Sequence, residues 1–540
     1  MAHPASSVAR RDYAALLGLK YRPSIYQEAL FDWIVEGRGH RVVKAVAGAG
    51  KTTSIVSGAK LISGSGLFVS FNVTIANMLS EKLKGTSMKS RTVNAHGMKC
   101  VTTALGRRVK IDEKKYRALV EAAADKIATD GVLRGQRLTR EQLAEVAKNG
   151  FPVTACSKLI DMARLSLVDV EAADFAKAVL AIAERHGFDD YAACLDSLVI
   201  VVVQHSMRIG REDTFSIDYI DQLWLPVVNG WQPDQFSWVV VDECQDLSAA
   251  ALELLSKSRR SGGRMLFVGD PKQAINGFAG ADSDSFDKIV ERTRAEPLPL
   301  SVCYRCPTSV LDLARAYCPE IEARPGAPVG VVRRAKRAEY AAEAREGDLV
   351  LCRRNAPLLS MCFELIAEGV PAQVKGKDIA SRLTAIVKKA ARGRAFEDFG
   401  EGLKVWSDAQ AEAARKRITD EDRLAERLEL ISDQEECVRV VWASTGATSA
   451  SGMCEEIHKL FAEDRGSVTL SSIHKAKGLE AKRVAILEPE RLAAANDDGS
   501  GSDGKRPKQP WQVQQEKNLA YVAITRAEEE LIWLDSDKAA

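Results

Sequence analysis

Residues 45–53 read Ala45-Val46-Ala47-Gly48-Ala49-Gly50-Lys51-Thr52-Thr53. The stretch follows the apolar pair Val42-Val43 and opens onto Ser54 to Leu61, a segment compatible with a helix. Strand, glycine-rich turn and helix start together form the layout of a phosphate-binding loop. Successive backbone N–H groups of such a loop wrap a polyphosphate, and the helix N-terminus adds its dipole. Ala47, Gly48, Ala49, Gly50, Lys51, Thr52 and Thr53 are therefore the candidate nucleotide ligands. Lys51 is expected to reach the terminal phosphates and Thr52 to hold Mg2+. The strict pattern asks for glycine where this chain carries Ala45.

A second signal lies downstream. Phe236-Ser-Trp-Val239-Val240-Val241 is an apolar run that ends in Asp242-Glu243-Cys-Gln245-Asp246. A buried strand that delivers two adjacent carboxylates at its tip suits metal-assisted phosphoryl chemistry. Asp242 is the expected Mg2+ ligand with Thr52, and Glu243 the residue that orients and deprotonates an attacking water. Arg264-Met-Leu-Phe-Val-Gly269-Asp270-Pro271-Lys272-Gln273 is another strand ending in a polar turn. Gln273 there is a candidate γ-phosphate sensor, although the same residues would also make a plain turn.

Length and composition set the class. At 540 residues the chain has room for three or four domains, and its hydrophobic content of 46% and charged content of 28% are those of an ordinary globular protein. No apolar run in the sequence approaches the roughly 20 residues that span a bilayer, so no membrane association is expected. The N-terminal residues lack the apolar core of a secretion signal, and the 11 cysteines are scattered, as for free thiols in a reducing cytoplasm. Cys303 and Cys306 have a CxxC spacing without a second pair at a zinc-like distance, which favours two inert thiols. Lys and Arg total 76 against 74 Asp and Glu, a net charge of +2. That balance neither supports nor excludes a nucleic-acid partner, because a binding channel needs local positive charge rather than a basic total.

Along the chain, strand-like runs at 42–46 and 67–71 give way to a region rich in Ala, Leu, Lys and Glu at helical spacing. Strand signals return at 238–241, 265–268, 329–332 and 349–352, and after a second helical stretch at 468–471, 483–487 and 531–534. The economical reading is an α/β fold with two parallel-sheet cores in tandem, each with a mainly helical insertion. Residues 1–100 form the start of the first core, 101–225 its insertion and 226–295 its end. Residues 296–380 open the second core, 381–465 are its short insertion and 466–540 complete it. Residues 496–510 read as a flexible loop by composition.

The ordered set of motifs resembles the UvrD/Rep-type superfamily 1 DNA helicases of the 3′→5′ branch, over about residues 22 to 534. Tyr26-Gln27 resembles the adenine-reading glutamine motif. Phe71-Asn72-Val-Thr-Ile-Ala76 and Thr92-Val-Asn-Ala-His96 resemble two DNA-contacting motifs, and Asp242-Glu243-Cys-Gln245-Asp246 the acidic box. Leu300-Ser-Val-Cys-Tyr304-Arg305 resembles the motif that supplies one arginine finger. Val468-Thr-Leu-Ser-Ser-Ile-His474-Lys-Ala-Lys477-Gly478-Leu479-Glu480 resembles the motif at the DNA and nucleotide face of the second core. Asn518-Leu-Ala-Tyr521-Val-Ala-Ile-Thr525-Arg526-Ala527 resembles the last motif, with the second finger.

The resemblance implies two RecA-like motor cores, ATP and Mg2+ as cofactors, and single-stranded DNA and its junctions with duplex as partner. It implies Gln27 and Glu480 as further nucleotide ligands, and Lys51, Asp242, Glu243, Gln273, Arg305 and Arg526 as catalytic residues. Phe71, Asn72, His96, Phe278 and His474 become the candidate DNA contacts. It further implies ATP-driven 3′→5′ movement, the direction resting on Lys477-Gly478-Leu479-Glu480. The chain departs from the family at Asn276 and Ala279, where a stacking aromatic and an arginine are expected. The short second insertion resembles the compact phage and F-box-type members. Two other readings stay open: a translocase that strips proteins from single-stranded DNA and unwinds weakly, and an ATP-binding regulatory subunit of a defence or repair complex. A monomer, a loading or nuclease partner protein, and a nucleoid-associated cytoplasmic location complete the expectation.

Overall fold

The computed structural model describes residues 11–133, 136–186, 188, 191–275, 285–418, 421–461, 468–493 and 510–535. The chain divides into two compact units. The first comprises Met1–Arg108, Tyr219–Pro271 and Asp284–Tyr304, and the second Val109–Asp218, Lys272–Ser283 and Arg305–Ala540.

The first unit is built on six strands: β1 (Arg41–Ala45), β2 (Gly66–Ser70), β3 (Met88–Thr92), β4 (Phe236–Val241), β5 (Arg259–Gly269) and β6 (Glu296–Leu300). Their order across the sheet is β6-β1-β5-β4-β2-β3, and every pair is parallel. A parallel sheet covered on both faces needs strands that are apolar throughout rather than alternating. Val42 and Val43 of β1, Leu67 to Val69 of β2 and Val239 to Val241 of β4 meet that need and are fully buried. Both edge strands look unlike strands. β3 is Met-Lys-Ser-Arg-Thr, and β6 is Glu-Pro-Leu-Pro-Leu. Proline cannot donate to a ladder, so it is tolerated only where one side of the strand has no partner. Pro297 and Pro299 lie opposite Val42 and Lys44 on such an edge. Residues 296–300, expected at the start of the second core, therefore belong to the first.

The second unit carries its own six-stranded sheet: β7 (Val331–Lys336), β8 (Leu349–Cys352), β9 (Ala372–Val374), β10 (Val468–Ser472), β11 (Ala481–Leu487) and β12 (Ala527–Asp535). The order is β7-β12-β11-β8-β10-β9, again parallel at every pair. The helices Lys377–Ala390, Phe399–Arg417, Glu421–Thr445 and Ala450–Leu460 lie between β9 and β10 in the chain. They share one apolar core with the sheet, since Leu383, Phe399, Val438 and Met453 join Val350, Leu470 and Ile532. Asp433, on the third of these helices, accepts from the backbone N–H of Ala356 at 3.0 Å and so caps the helix Ala356–Ala367 beside β8.

The other helical segment, 109–218, is pinned by a buried bidentate pair. Arg164 donates to both carboxylate oxygens of Asp218 at 2.9 and 2.7 Å, and its guanidinium stacks 3.6 Å above the Tyr116 ring. One stretch here, Ala193–Glu212, is long and apolar enough by composition to cross a membrane, contrary to the sequence expectation. Its apolar residues have partners inside the protein instead. Leu198, Val199, Val202, Val203 and Met207 are buried, as one face of a core helix requires.

Candidate nucleotide and catalytic site

In a parallel sheet every strand ends on the same side, so loops far apart in sequence meet there. β1, β5 and β4 are neighbours. Their ends deliver the phosphate loop, Asp270 and the Asp242-Glu243 pair side by side.

The loop leaves β1 at Ala45, which is still in register opposite Leu300. The left-handed backbone positions are Gly48 (φ 66°) and Gly50 (φ 71°). Glycine is thus required at those two places and not at 45, where a strand residue suffices. The loop is tied down by Val46 N–H to the Leu300 carbonyl (3.0 Å) and by Tyr304 N–H to the Gly48 carbonyl (2.8 Å). Gly50 begins the helix Lys51–Ala59, whose N-terminus has no side-chain cap. Backbone donors at such a terminus suit an anion.

Gln27 reaches this helix from behind. Its amide Nε2 donates to Ser54 Oγ at 2.8 Å, and Ser54 Oγ donates to the Gly50 carbonyl at 2.9 Å. The same Gln27 caps its own helix, Ile25–Glu36, by accepting from Ser24 N–H at 3.0 Å. The Tyr304 hydroxyl lies 3.4 Å from Gln27 Oε1. Gln27 and Tyr304 therefore frame the loop at Gly50, and both ends of the buried Gln27 amide are engaged within the protein.

Lys51 and the acids form one charged group. Lys51 Nζ is 3.2 Å from Glu243 Oε1. Burial pushes the Lys51 ammonium down, but Glu243, Asp270 and Asp242 outweigh it and the net shift is upward. The Asp242 carboxyl is pushed well above the usual carboxylate range by burial and then by the Glu243 charge, with Lys51 opposing. The Thr52 side chain hydrogen-bonds Asp242. A hydroxyl and a carboxylate oxygen at the foot of a phosphate loop are hard oxygen donors of the kind Mg2+ takes, the rest of its octahedron being water and phosphate. Thr52 and Asp242 thus fit the expected metal. Glu243 sits in the left-handed region (φ 52°), uncommon for a side-chain-bearing residue, and its N–H donates to Asp242 Oδ1 at 2.9 Å. That conformation turns its carboxylate toward Lys51 while Asp242 stays buried at the strand tip.

Sequence reasoning passed over one member of this group. Gln245 Nε2 donates to Glu243 Oε2, and Gln245 Oε1 accepts from Asp270 N–H at 3.1 Å.

The candidate DNA contacts separate. Phe71 and Asn72 are exposed at the end of β2, with Asn72 capping the helix Val73–Lys82. His96 is buried, so its ring is not presented for the direct DNA contact expected of it. Its Nε2 lies 2.7 Å from Ser258 Oγ and its Nδ1 3.4 Å from Arg91 Nη1. Burial, reinforced by Arg91, lowers its pKa to about 4. Phe278, with Asn276 and Ala279, falls outside the described residues.

In the second unit His474 is half-buried just past β10, its pKa lowered to about 4 by burial and by Arg353. Arg305 donates to the Thr525 carbonyl at 3.2 Å and is paired with Glu480. Arg526 is fully buried and donates to the carbonyls of Val522 (2.9 Å) and Leu479 (3.2 Å). Gln273 is buried as well. Among the described residues no cluster of three or more His, Cys, Asp or Glu is placed to hold a metal ion, and Cys303 and Cys306 are buried thiols not joined in a disulfide.

Residues 28–293 match the model of the UvrD/REP helicase N-terminal domain, and residues 202–536 that of the UvrD-like helicase C-terminal domain. The chain belongs to the UvrD-like helicase family. It is a DNA helicase in the general sense of that family, with the ATP-dependent activity that the family implies. No curated protein matches this UvrD-like helicase.

Proposed function

We propose that this UvrD-like helicase binds ATP with Mg2+ and spends its hydrolysis on 3′→5′ movement along single-stranded DNA, separating duplex ahead of it in repair, recombination or replication. The observation that carries the reading is the Lys51–Glu243–Asp242 group with Thr52 at the mouth of an uncapped helix. Lys51 holds the γ-phosphate, Thr52 and Asp242 hold the metal, and Glu243 takes the proton of the attacking water. Arg305 and Arg526 are proposed to add positive charge at the γ-phosphate in the transition state. For Arg526 this requires release from its present carbonyl partners. Bound Mg2+ supplies charge neutralisation on the β- and γ-phosphates.

Direction is argued from Lys477-Gly478-Leu479-Glu480. The departures at Asn276 and Ala279 and the short second insertion favour a second reading, a translocase that displaces bound proteins and unwinds weakly. The regulatory-subunit reading is disfavoured by a complete water-activating group, for which a pure sensor has no use.

Strand displacement on duplexes bearing a 3′ or a 5′ single-stranded tail tests this, with Lys51→Ala as the blank. Displacement from the 3′ tail alone supports the proposal. Displacement from neither, with DNA-stimulated turnover intact, supports the translocase. Undiminished turnover in Lys51→Ala or Glu243→Gln refutes the site.

A further inference from the structure

The acid pair at the tip of β4 is not held by the phosphate loop alone. Glu243 Oε1 faces Lys51, while Glu243 Oε2 accepts from the side-chain amide of Gln245. The other end of that amide, Oε1, accepts the backbone N–H of Asp270 at 3.1 Å. Gln245 is fully buried. It can reach across because β5 ends in Gly269: a Cβ built there would lie 2.2 Å from Gln245 Oε1 and 2.9 Å from Cys244 Sγ. Gly269 is thus needed for close approach, since its backbone is not among the positive-φ glycines. Asp270 begins the turn that runs through Pro271 and Lys272 to Gln273. One neutral side chain therefore ties the carboxylate that faces the phosphate loop to the first residue of the segment carrying Gln273.

We propose that Gln245 is a positioning residue for ATP hydrolysis, setting the Glu243 carboxylate and the Asp270 end of the sensor segment with the two ends of a single amide. The inference rests on the reading of Glu243 as the water-activating base. An amide suits the task because it donates at one end and accepts at the other without adding charge to a site that already holds three acids and one lysine. A glutamate at 245 would add a fourth negative charge and lose the donor. A methionine would fill similar space and make neither bond.

The test is pre-steady-state ATP turnover with saturating single-stranded DNA, alongside ATP affinity, in Gln245→Met, Gly269→Ala, Glu243→Gln and the double variant Glu243→Gln/Gln245→Met. Gln245→Met is expected to lower kcat by about 10- to 100-fold, the range that follows from misplacing a reacting group by about 1 Å. ATP affinity should change less than about threefold, because Lys51 and the loop are untouched. Gly269→Ala leaves every hydrogen-bonding group in place but displaces Gln245, and is expected to show the same split between kcat and affinity. In the Glu243→Gln background the Gln245→Met change should cost less than about twofold, since a side chain that acts by placing the base has nothing left to place.

A full, multiplicative loss in that background overturns the inference, as does unchanged kcat in a folded Gln245→Met. Equal losses of kcat and affinity in Gly269→Ala also overturn it. Undiminished turnover in Glu243→Gln would instead remove the base assignment beneath it, so the two failures are distinguishable.

Discussion

His96→Gln separates a core histidine from a DNA contact and has a magnitude that follows from the structure. The imidazole is buried, 2.7 Å from Ser258 Oγ, beside the Arg91 guanidinium. Its pKa falls from 6.5 to about 4 in the folded protein. The unfolded chain therefore takes up a proton as pH drops through about 6.5, while the folded chain refuses it until about 4. Stability is lost across that window and is fully present only above it. At about 1.4 kcal/mol for each pH step, the whole window is worth about 3 kcal/mol, and the part between pH 7 and pH 5 about 2 kcal/mol. Glutamine carries no titrating proton and can still exchange a hydrogen bond with Ser258.

Amide hydrogen exchange in the helix Val93–Leu105, corrected for the intrinsic pH dependence, reads the opening free energy of the first unit. Between pH 7 and pH 5 the parent protein should lose about 2 kcal/mol more than His96→Gln. Carboxylates common to both proteins cancel in the comparison. Equal losses would refute the argument that His96 is neutral and buried. A DNA affinity lowered more than about tenfold in His96→Gln at pH 7, worth about 1.4 kcal/mol, would restore the contact that the burial removes.

Three further substitutions have definite outcomes. Ala45→Gly restores the strict loop pattern but loosens a paired strand position, so it should lower stability by about 0.5–1 kcal/mol with ATP turnover unchanged; a gain in ATP affinity would show that position 45 needs glycine after all. Asp218→Ala takes two hydrogen bonds from the buried Arg164 guanidinium, leaving it paired to Asp161, and should destabilise the 109–218 segment by about 2 kcal/mol, read by exchange in the helix Val153–Leu165; ordinary protection there would refute the pair's importance. Arg526→Ala removes donors from the Val522 and Leu479 carbonyls and should cost about 2 kcal/mol or more in denaturant unfolding before any nucleotide is added. Full stability with lost turnover would leave Arg526 a purely catalytic role.

Legibility along the chain followed position in the two sheets. β1, β2, β4 and β8 have a strand on either side, and burial on both faces calls for apolar residues at most of their positions, a pattern visible without structure. The edge strands β3 and β6 escape that demand. One is basic and polar, the other carries two prolines, and their pairing to β2 and β1 is visible only in three dimensions. That is why the boundary expected at 296 moves past β6. The apolar helix Asp196–Glu212 shows the reverse case, a long greasy run whose meaning depends on whether protein surrounds it.

The same division runs through the site. Lys51, Thr52, Asp242 and Glu243 could be read from sequence because the chemistry of phosphate binding dictates residue type and local spacing, and the spacing acts within one turn of chain. Gln245 and Gly269 could not, because their roles come from β4 and β5 lying side by side, which local spacing does not encode. For His96 the motif pointed to a DNA contact, whereas in the fold it sits in the first turn of the helix Val93–Leu105 that follows β3, its ring packed inward against Ser258. The sequence alone thus determined the motor class, the phosphate loop and the acids, since each is a local consequence of residue type. Tertiary structure decided which residues hold those acids in place and which candidate contacts face inward, because those depend on neighbours that only folding supplies.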